Sequence, residues 1–403
     1  ITAAVPERSS TSGAPDGRRA ARAAMRWSSV AAVGSCLPLA WSCSYVEIPF
    51  PSKAGSNGTA FMIGRTMELG NLFGKMSYVI ETVPTHVSGG KYGYVAPMNV
   101  CGYPHLNTKV ANEGMNEVGL TISALAFDQS AYEAPLAGST EIAPEDVVAN
   151  ILAQCDSVDS ALDYLASVRV VAKSVLDKMQ VLHWAIHEPS GRSVVVEYLE
   201  GRRIIYENAP RVLTNDPDLT WQWRNLNTYS NLNPTFPHQN DFLQVEAGHG
   251  VGSVPRAVGH GWNLFGMPGD SSPPSRFARL FYLRGYALNT QKMTDESDAV
   301  VLGTALLNNV FIPYGVVPPD PTKVPGVDRP EYTPYGILKV PAEKKILLRA
   351  YRNSQWRLID LNRVDFSKAQ SWPLEDGSLG IEDITANGRA MEADSADFGQ
   401  AVV

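Results

Sequence analysis

A cysteine set directly behind small residues, at the head of a strand-like run, constrains this chain more than any other feature. The stretch is Ala40-Trp41-Ser42-Cys43-Ser44-Tyr45, followed by the second run Phe61-Met62-Ile63-Gly64-Arg65-Thr66-Met67-Glu68. Ser44 to Phe50 and Thr59 to Arg65 read as two strands of a hairpin joined by the Pro-, Ser- and Gly-containing loop 51–58. That pairing places Arg65 and Glu68 at the end of the strand that runs beside Cys43. If the chain is cut before Cys43, the thiol carries its own base, because a free α-amino group has a pKa near ~8 and lies one Cα from the sulfur. No histidine is required.

The residues upstream fit such a cut. Residues 1–24 are rich in Ala, Ser, Gly and Arg without apolar periodicity, and read as disordered or as upstream translated sequence. From Met25, Arg26 supplies a short charged region and Val30 to Trp41 a short apolar one, with Ala40 and Ser42 at the −3 and −1 positions that signal peptidase favours. Residues 1–42 are therefore expected to be a leader, and 43–403 a single domain ending in a loosely held acidic tail. Two other readings, a lipoprotein box at Val33-Gly34-Ser35-Cys36 and a twin-arginine signal at Arg18-Arg19, rank lower. The first has too little apolar sequence before its cysteine, and the second lacks the residues that follow such a pair. A leader implies a periplasmic or secreted protein.

Charge and cysteine usage exclude several classes. The chain carries a formal net charge of −7, and loss of residues 1–42 with their five Arg and two acids makes it −10, which disfavours binding to phosphate backbones. No run approaches the ~18 apolar residues that span a membrane, so no stable membrane insertion is expected. Cys36, Cys43, Cys101 and Cys155 match no zinc spacing, and Cys101 and Cys155 read as small core residues. His183 and His187 fall on a strand, where residues four apart are separated by about 13 Å, too far to chelate one ion. They read as structural histidines, and neither metal nor cofactor is expected. A small-molecule amide is the expected partner, and a homo-oligomer, dimer or tetramer, is left open.

Along the chain, β runs are expected at Met76–Val83, Tyr92–Pro97 and Val118–Phe127. Two helices follow within Pro144–Val168, with Asp156 or Ser157 as the restart cap, and then a meander at Gln180–His187, Ser193–Leu199 and Arg202–Tyr206. A strand over Arg211–Asn215 ends at Asp216-Pro217, presenting Asn215 at its terminus. Gly248–Pro274 reads as a loop, Ser275–Leu288 as a helix with Arg276 in its first turn, and the segment with seven prolines from Pro313 to Pro334 as an irregular connection. Strands resume at Gly336–Val340, Lys345–Tyr351 and Trp356–Leu361. The order suggests one α+β domain of two sheets between helical layers.

These residues carry a resemblance. From Cys43 to about Leu361 the chain resembles the choloylglycine hydrolase family, comprising conjugated bile salt hydrolases, penicillin V acylases and related linear-amide hydrolases. The resemblance rests on Cys43 before its aromatic-containing strand, Gly64-Arg65-Thr66-Met67-Glu68, Asn112 to Leu120, Leu182-His183-Trp184, Val212 to Pro217, Asn231-Leu232-Asn233-Pro234, and Leu264 to Phe277 with Pro268-Gly269-Asp270-Ser271. It implies the four-layer αββα N-terminal-nucleophile hydrolase fold. It also implies roles: Cys43 as nucleophile, Arg65 as the cation beside the thiol, Asn215 as oxyanion donor, Arg276 as second arginine of the site, and Glu68 as the carboxylate holding the new amino group. A fixed cation at Arg65 is expected to lower the thiol pKa from ~8.5 by about one unit or more.

The chain departs from the family in two places. Glu68 stands where the family has Asp, so the carboxylate reaches one methylene further. Ala126 stands where the family has Asn or Tyr before an aromatic, here Phe127; the backbone N–H at 126 can still face an oxyanion, but the side-chain contacts to substrate are gone. With Leu69 and Phe127 as apolar lining, this favours an apolar acyl group on a polar amine, as in penicillin V or N-acyl homoserine lactones, over conjugated bile salts. Two rivals remain open: a secreted binding protein that kept the fold without activity, marked by an uncut Cys43, and a Cys-His peptidase, which would need histidine for turnover.

Overall fold

The computed structural model describes residues 42–68, 76–85, 87–101, 109–173, 181–233, 261, 264–318, 330–375 and 377–382. Residues 1–41 of the expected leader, Leu69, and the tail from 383 lie outside these residues. In chain order the first strands are β1 (Ser42–Ser56), β2 (Thr59–Glu68), β3 (Met76–Val83), β4 (Tyr94–Cys101), β5 (Lys109–Ala111), β6 (Glu113–Asn116), β7 (Thr121–Ala126) and β8 (Glu141–Ile142). Helices α1 (Val147–Gln154) and α2 (Val158–Ser167) precede β9 (Arg169–Val170), β10 (Leu182–His187), β11 (Ser193–Leu199), β12 (Arg202–Glu207) and β13 (Val212–Leu213). Helices α3 (Leu219–Asn225), α4 (Pro273–Thr290) and α5 (Glu296–Asn308) lead to β14 (Tyr335–Val340), β15 (Lys345–Ala350), β16 (Arg357–Asp360) and β17 (Ser371–Pro373).

Two antiparallel sheets face one another. One has the order β13-β1-β2-β14-β15-β16, the other β12-β11-β10-β7-β6-β4-β3-β17, with β5 beside β4. Helices α4 and α5 pack on the first sheet and α1 on the second, giving the αββα layering that the resemblance implied. Apolar residues fill two layers. One, including Val46, Met62, Leu125, Ala185, Ile337 and Leu307, joins the sheets and the α4/α5 side; the other, including Ile122, Ile151, Leu165, Trp184 and Val196, lies under α1 and α2.

The β1–β2 hairpin is longer than its apolar run suggested. Its strands continue to a turn at Asn57-Gly58, where both residues have positive φ (52° and 75°), a conformation that Asn and Gly tolerate best. The restart between α1 and α2 falls at Ser157, whose hydroxyl accepts from the Ser160 amide in a capping box. The expected strand at Arg211–Asn215 shrinks to Val212–Leu213, since beyond Leu213 the chain leaves β1. Helix α5 has no counterpart in the sequence reading, although Asp295 caps it and Ala299, Leu302 and Leu306 form its buried stripe.

Close packing of α1 on β6 depends on Gly114. A Cβ there would lie 2.7 Å from both Leu152 Cδ1 and the Val95 carbonyl oxygen, and the second is backbone that cannot turn aside. Gly114→Ala is therefore expected to destabilise the fold by about 1–3 kcal/mol, read as a lowered thermal midpoint; an unchanged midpoint would show that this layer has slack.

Candidate active site

Register and side-chain alternation assemble the site. In the β1–β2 ladder Ser42 faces Glu68, Cys43 faces Met67 and Tyr45 faces Arg65. Alternate residues project to opposite faces, so Cys43, Tyr45 and Glu47 turn with Arg65 and Met67 toward the second sheet, while Ser44 turns toward α4. On the other side of β1, β13 pairs Leu213 with Tyr45 and delivers Asn215 two residues later. Arg276 reaches in from the first turn of α4.

These elements converge on Cys43, which is fully buried. Arg65 Nη2 lies 3.4 Å from Cys43 Sγ, 3.3 Å from Met67 Sδ and 2.7 Å from the Ala124 carbonyl. The Cys43 backbone nitrogen donates to Asn215 Oδ1 at 2.8 Å. Arg276 donates to the same Oδ1 at 2.6 Å, to the Cys43 carbonyl at 2.5 Å and to Ser44 Oγ at 2.8 Å. All five residues expected to form the site, Cys43, Arg65, Glu68, Asn215 and Arg276, are thus buried around one sulfur.

The Asn215 amide is oriented by its bonds. Two donors fix Oδ1, and Nδ2 donates to the Ala126 carbonyl at 2.9 Å, leaving its second hydrogen. The Phe127 amide donates to Val181 across the β7–β10 ladder, in which Ala126 faces Leu182. Alternation then turns the Ala126 N–H away from β10, past the point where β6 has ended. Two N–H groups, one from Asn215 and one from Ala126, are therefore presented on the same side of β7 as the Arg65 guanidinium.

Glu68 is buried beside this cluster. Thr333 Oγ1 donates to its Oε1 at 2.8 Å, and its Oε2 has no hydrogen-bond partner among the described residues. Burial raises its pKa to about 7, against the opposing pull of Arg276 and Arg65.

The thiol departs from expectation. Burial pushes the Cys43 pKa up; Arg65 opposes this as anticipated, but Glu68 adds to it, and the sum lies above the usual thiol value. A nearby cation does not yield a thiolate in a site that excludes water. Phe127 is fully buried and stacks on the His183 ring, centroids 4.7 Å apart and planes within 8°. Ala126 stays beside the cluster, 3% exposed, and Leu69 is not among the described residues. His183 and His187 are both buried in the layer between the sheets. Cys155 is a buried thiol held up to about 11 by burial.

Three residues of the site escaped the sequence reading. Glu113 on β6 receives Arg65 Nη1 at 2.5 Å, Lys339 Nζ at 2.8 Å and the Tyr335 hydroxyl at 3.1 Å, all buried. Burial works against the Glu113 charge, but Arg65 and Lys339 outweigh it and hold its carboxyl below the usual range. A signal existed for Glu113, which lies in the Asn112–Leu120 stretch. For Lys339 it was a lone cation inside the apolar run Gly336–Val340.

The family described as linear amide C–N hydrolases, choloylglycine hydrolase family, matches residues 56–374, a span that begins after Cys43. A bile salt hydrolase/transferase of Clostridium perfringens (strain 13 / Type A) is 30% identical over 256 residues, 62% of this chain and 72% of that protein. A penicillin V acylase of Pectobacterium atrosepticum is 25% identical over 228 residues, 52% of each chain. Among solved structures, a variant of conjugated bile acid hydrolase from Clostridium perfringens superposes with a TM-score of 0.67 at 23% identity, covering 85% of this chain and all of that one. Penicillin V acylase from Agrobacterium tumefaciens does so with 0.59 at 19% identity, covering 84% and 93%. Both share the fold.

A carboxyl raised on folding stabilises the protein below its unfolded pKa, and that contribution is lost as pH climbs through the folded value. For Glu68 the window runs from 4.5 to about 7. Across it the uncut chain is expected to lose about 3 kcal/mol relative to Glu68→Gln, measured by urea unfolding of both proteins at several pH values. Parallel pH profiles would show that the Glu68 carboxyl is not raised.

Proposed function

The chain belongs to the linear amide C–N hydrolases of the choloylglycine hydrolase family, and on that premise we propose that it is an N-terminal cysteine amidase with Cys43 as nucleophile. The observation that carries this reading is the convergence on one residue: the Cys43 sulfur beside the Arg65 guanidinium, and the Cys43 nitrogen 2.8 Å from Asn215 Oδ1. Cleavage between Ser42 and Cys43, by signal peptidase or by the chain itself, turns that amide nitrogen into an amine already oriented by Asn215. Export to the periplasm or medium accompanies such a leader.

In this mechanism the α-amino group takes the thiol proton and the thiolate attacks the amide carbonyl. The oxyanion meets the second Asn215 amide hydrogen and the Ala126 N–H, a contribution typically worth ~3 kcal/mol per donor. The amine then passes its proton to the leaving amine, and water cleaves the thioester. Arg65 favours the thiolate, Arg276 holds Asn215 and the Cys43 carbonyl in place, and the unpartnered oxygen of Glu68 receives the amine.

The substrate is read as an apolar acyl group on a polar amine, with penicillin V and long-chain N-acyl homoserine lactones as candidates, because Ala126 offers no polar side chain. A second reading, conjugated bile salts, is favoured by similarity to the bile salt hydrolases at 30% identity. One preparation of cut enzyme, assayed on penicillin V, an acyl homoserine lactone and glycocholate, separates the two: a glycocholate kcat/KM more than about tenfold above the others, the scale on which one pocket contact discriminates, reverses the assignment. On the preferred substrate Asn215→Ala is expected to lower kcat by about 100-fold or more with KM little changed. Normal turnover by this variant would remove Asn215 from the site.

A further inference from the structure

His183 takes no part in the mechanism above, yet its ring touches both pieces of chain that carry the oxyanion donors, hydrogen-bonded to the Thr214 carbonyl on one and stacked on Phe127 of the other. It lies on β10, fully buried, with Glu197 directly across the ladder on β11 and also fully buried. Its Nε2 lies 3.0 Å from the Thr214 carbonyl oxygen and its Nδ1 lies 3.1 Å from Glu197 Oε1. A carbonyl only accepts, so Nε2 carries a proton. A carboxylate only accepts, so a second proton lies between Nδ1 and Oε1. A neutral imidazole facing an ionised carboxylate cannot make both contacts.

The pair grips the Asn215 loop at both ends. His183 holds the carbonyl immediately before Asn215, and Glu197 Oε1 also accepts the Leu219 amide at 3.1 Å, where α3 begins. Inside the loop, Gln222 donates to the carbonyls of Asn215 and Asp216. The Asp216 carboxylate accepts the amides of Asp128 and Gln129 at 2.8 and 3.0 Å, fastening the loop to the chain just past Ala126. The His183 ring itself stacks on Phe127, the neighbour of Ala126.

We propose that His183 is a positioning residue held as an imidazolium by Glu197, and that this cation keeps the Asn215 loop and the Ala126–Phe127 segment in the register that aims both oxyanion donors. The inference rests on the proposed mechanism for its kinetic consequence, but not for the proton count. Other ionisable groups on the surrounding elements are Tyr206 on β12, which feels the Glu197 and Asp218 charges, Asp218 at the α3 cap, His187 on the same strand face, and, through Asn215, Arg276 and Cys43. None of them is hydrogen-bonded to the His183 ring among the described contacts.

The test has two arms. Nitrogen-15 NMR of histidine-labelled protein at neutral pH, with the His183 signals assigned by their loss in His183→Gln, is expected to show protons on both ring nitrogens; one bare nitrogen overturns the proposal whether or not the enzyme turns over. In the kinetic arm Glu197→Gln keeps an oxygen acceptor but loses the charge that retains the second proton. Its kcat is expected to fall about tenfold with KM nearly unchanged, and Glu197→Asp, which keeps the charge, to retain most of the wild-type kcat. Equal losses in the two variants contradict the proposal, since the charge would then not matter. Failure of the wild type to hydrolyse any linear amide would instead sink the proposed function and leave the NMR arm to decide the proton count.

Discussion

One carboxylate between two cations joins the sheets. Glu113 belongs to the nine-stranded sheet, Arg65 and Lys339 to the six-stranded one, and the three charges meet where water does not reach. Removing one member of such a buried group commonly costs about 3–5 kcal/mol, because a charge is left without a partner. The arrangement fixes the Arg65 guanidinium, whose other amino group faces Cys43 Sγ. Lys339 adds a bond to Ser123 and the Tyr335 hydroxyl a further bond to Glu113, so every member is anchored to a strand. The geometry of the thiol is thereby inherited from the packing of one sheet on the other.

That arrangement does not by itself activate the sulfur. Burial raises the Cys43 pKa despite Arg65, and Glu68, itself raised to about 7, contributes in the same direction. Desolvation and the field of a fixed cation oppose one another here, and desolvation prevails. A cut before Cys43 changes both sides of that balance. It replaces an amide by a basic amine and removes the chain that precedes the thiol. The proposed chemistry therefore depends on the cut more than on any single charge, and the Glu68 oxygen that has no hydrogen-bond partner among the described residues suits the new amine.

Legibility in the sequence followed locality. The β1–β2 hairpin, the meander from β10 to β12, the Ser157 restart and the Arg276 turn were readable because periodicity, turn residues and caps are local signals. Cys43, Arg65, Glu68, Asn215 and Arg276 were legible through ordered motifs, and the structure brings all five together. The roles of Glu113 and Lys339 were not, since their meaning arises only when strands 226 residues apart face each other. The stacking of Phe127 on His183 is hidden from the sequence for a related reason, since it exists only once β10 lies beside β7. The thiol pKa was misjudged because sequence reveals a neighbouring cation but not the depth of burial.

The central claim, that Cys43 acts as an N-terminal residue, is tested most directly by the first residue and intact mass of protein purified in active form. The account predicts Cys43 at the N-terminus, with residues 1–42 absent and activity appearing in step with that species. Active protein that still carries Ser42 would contradict it.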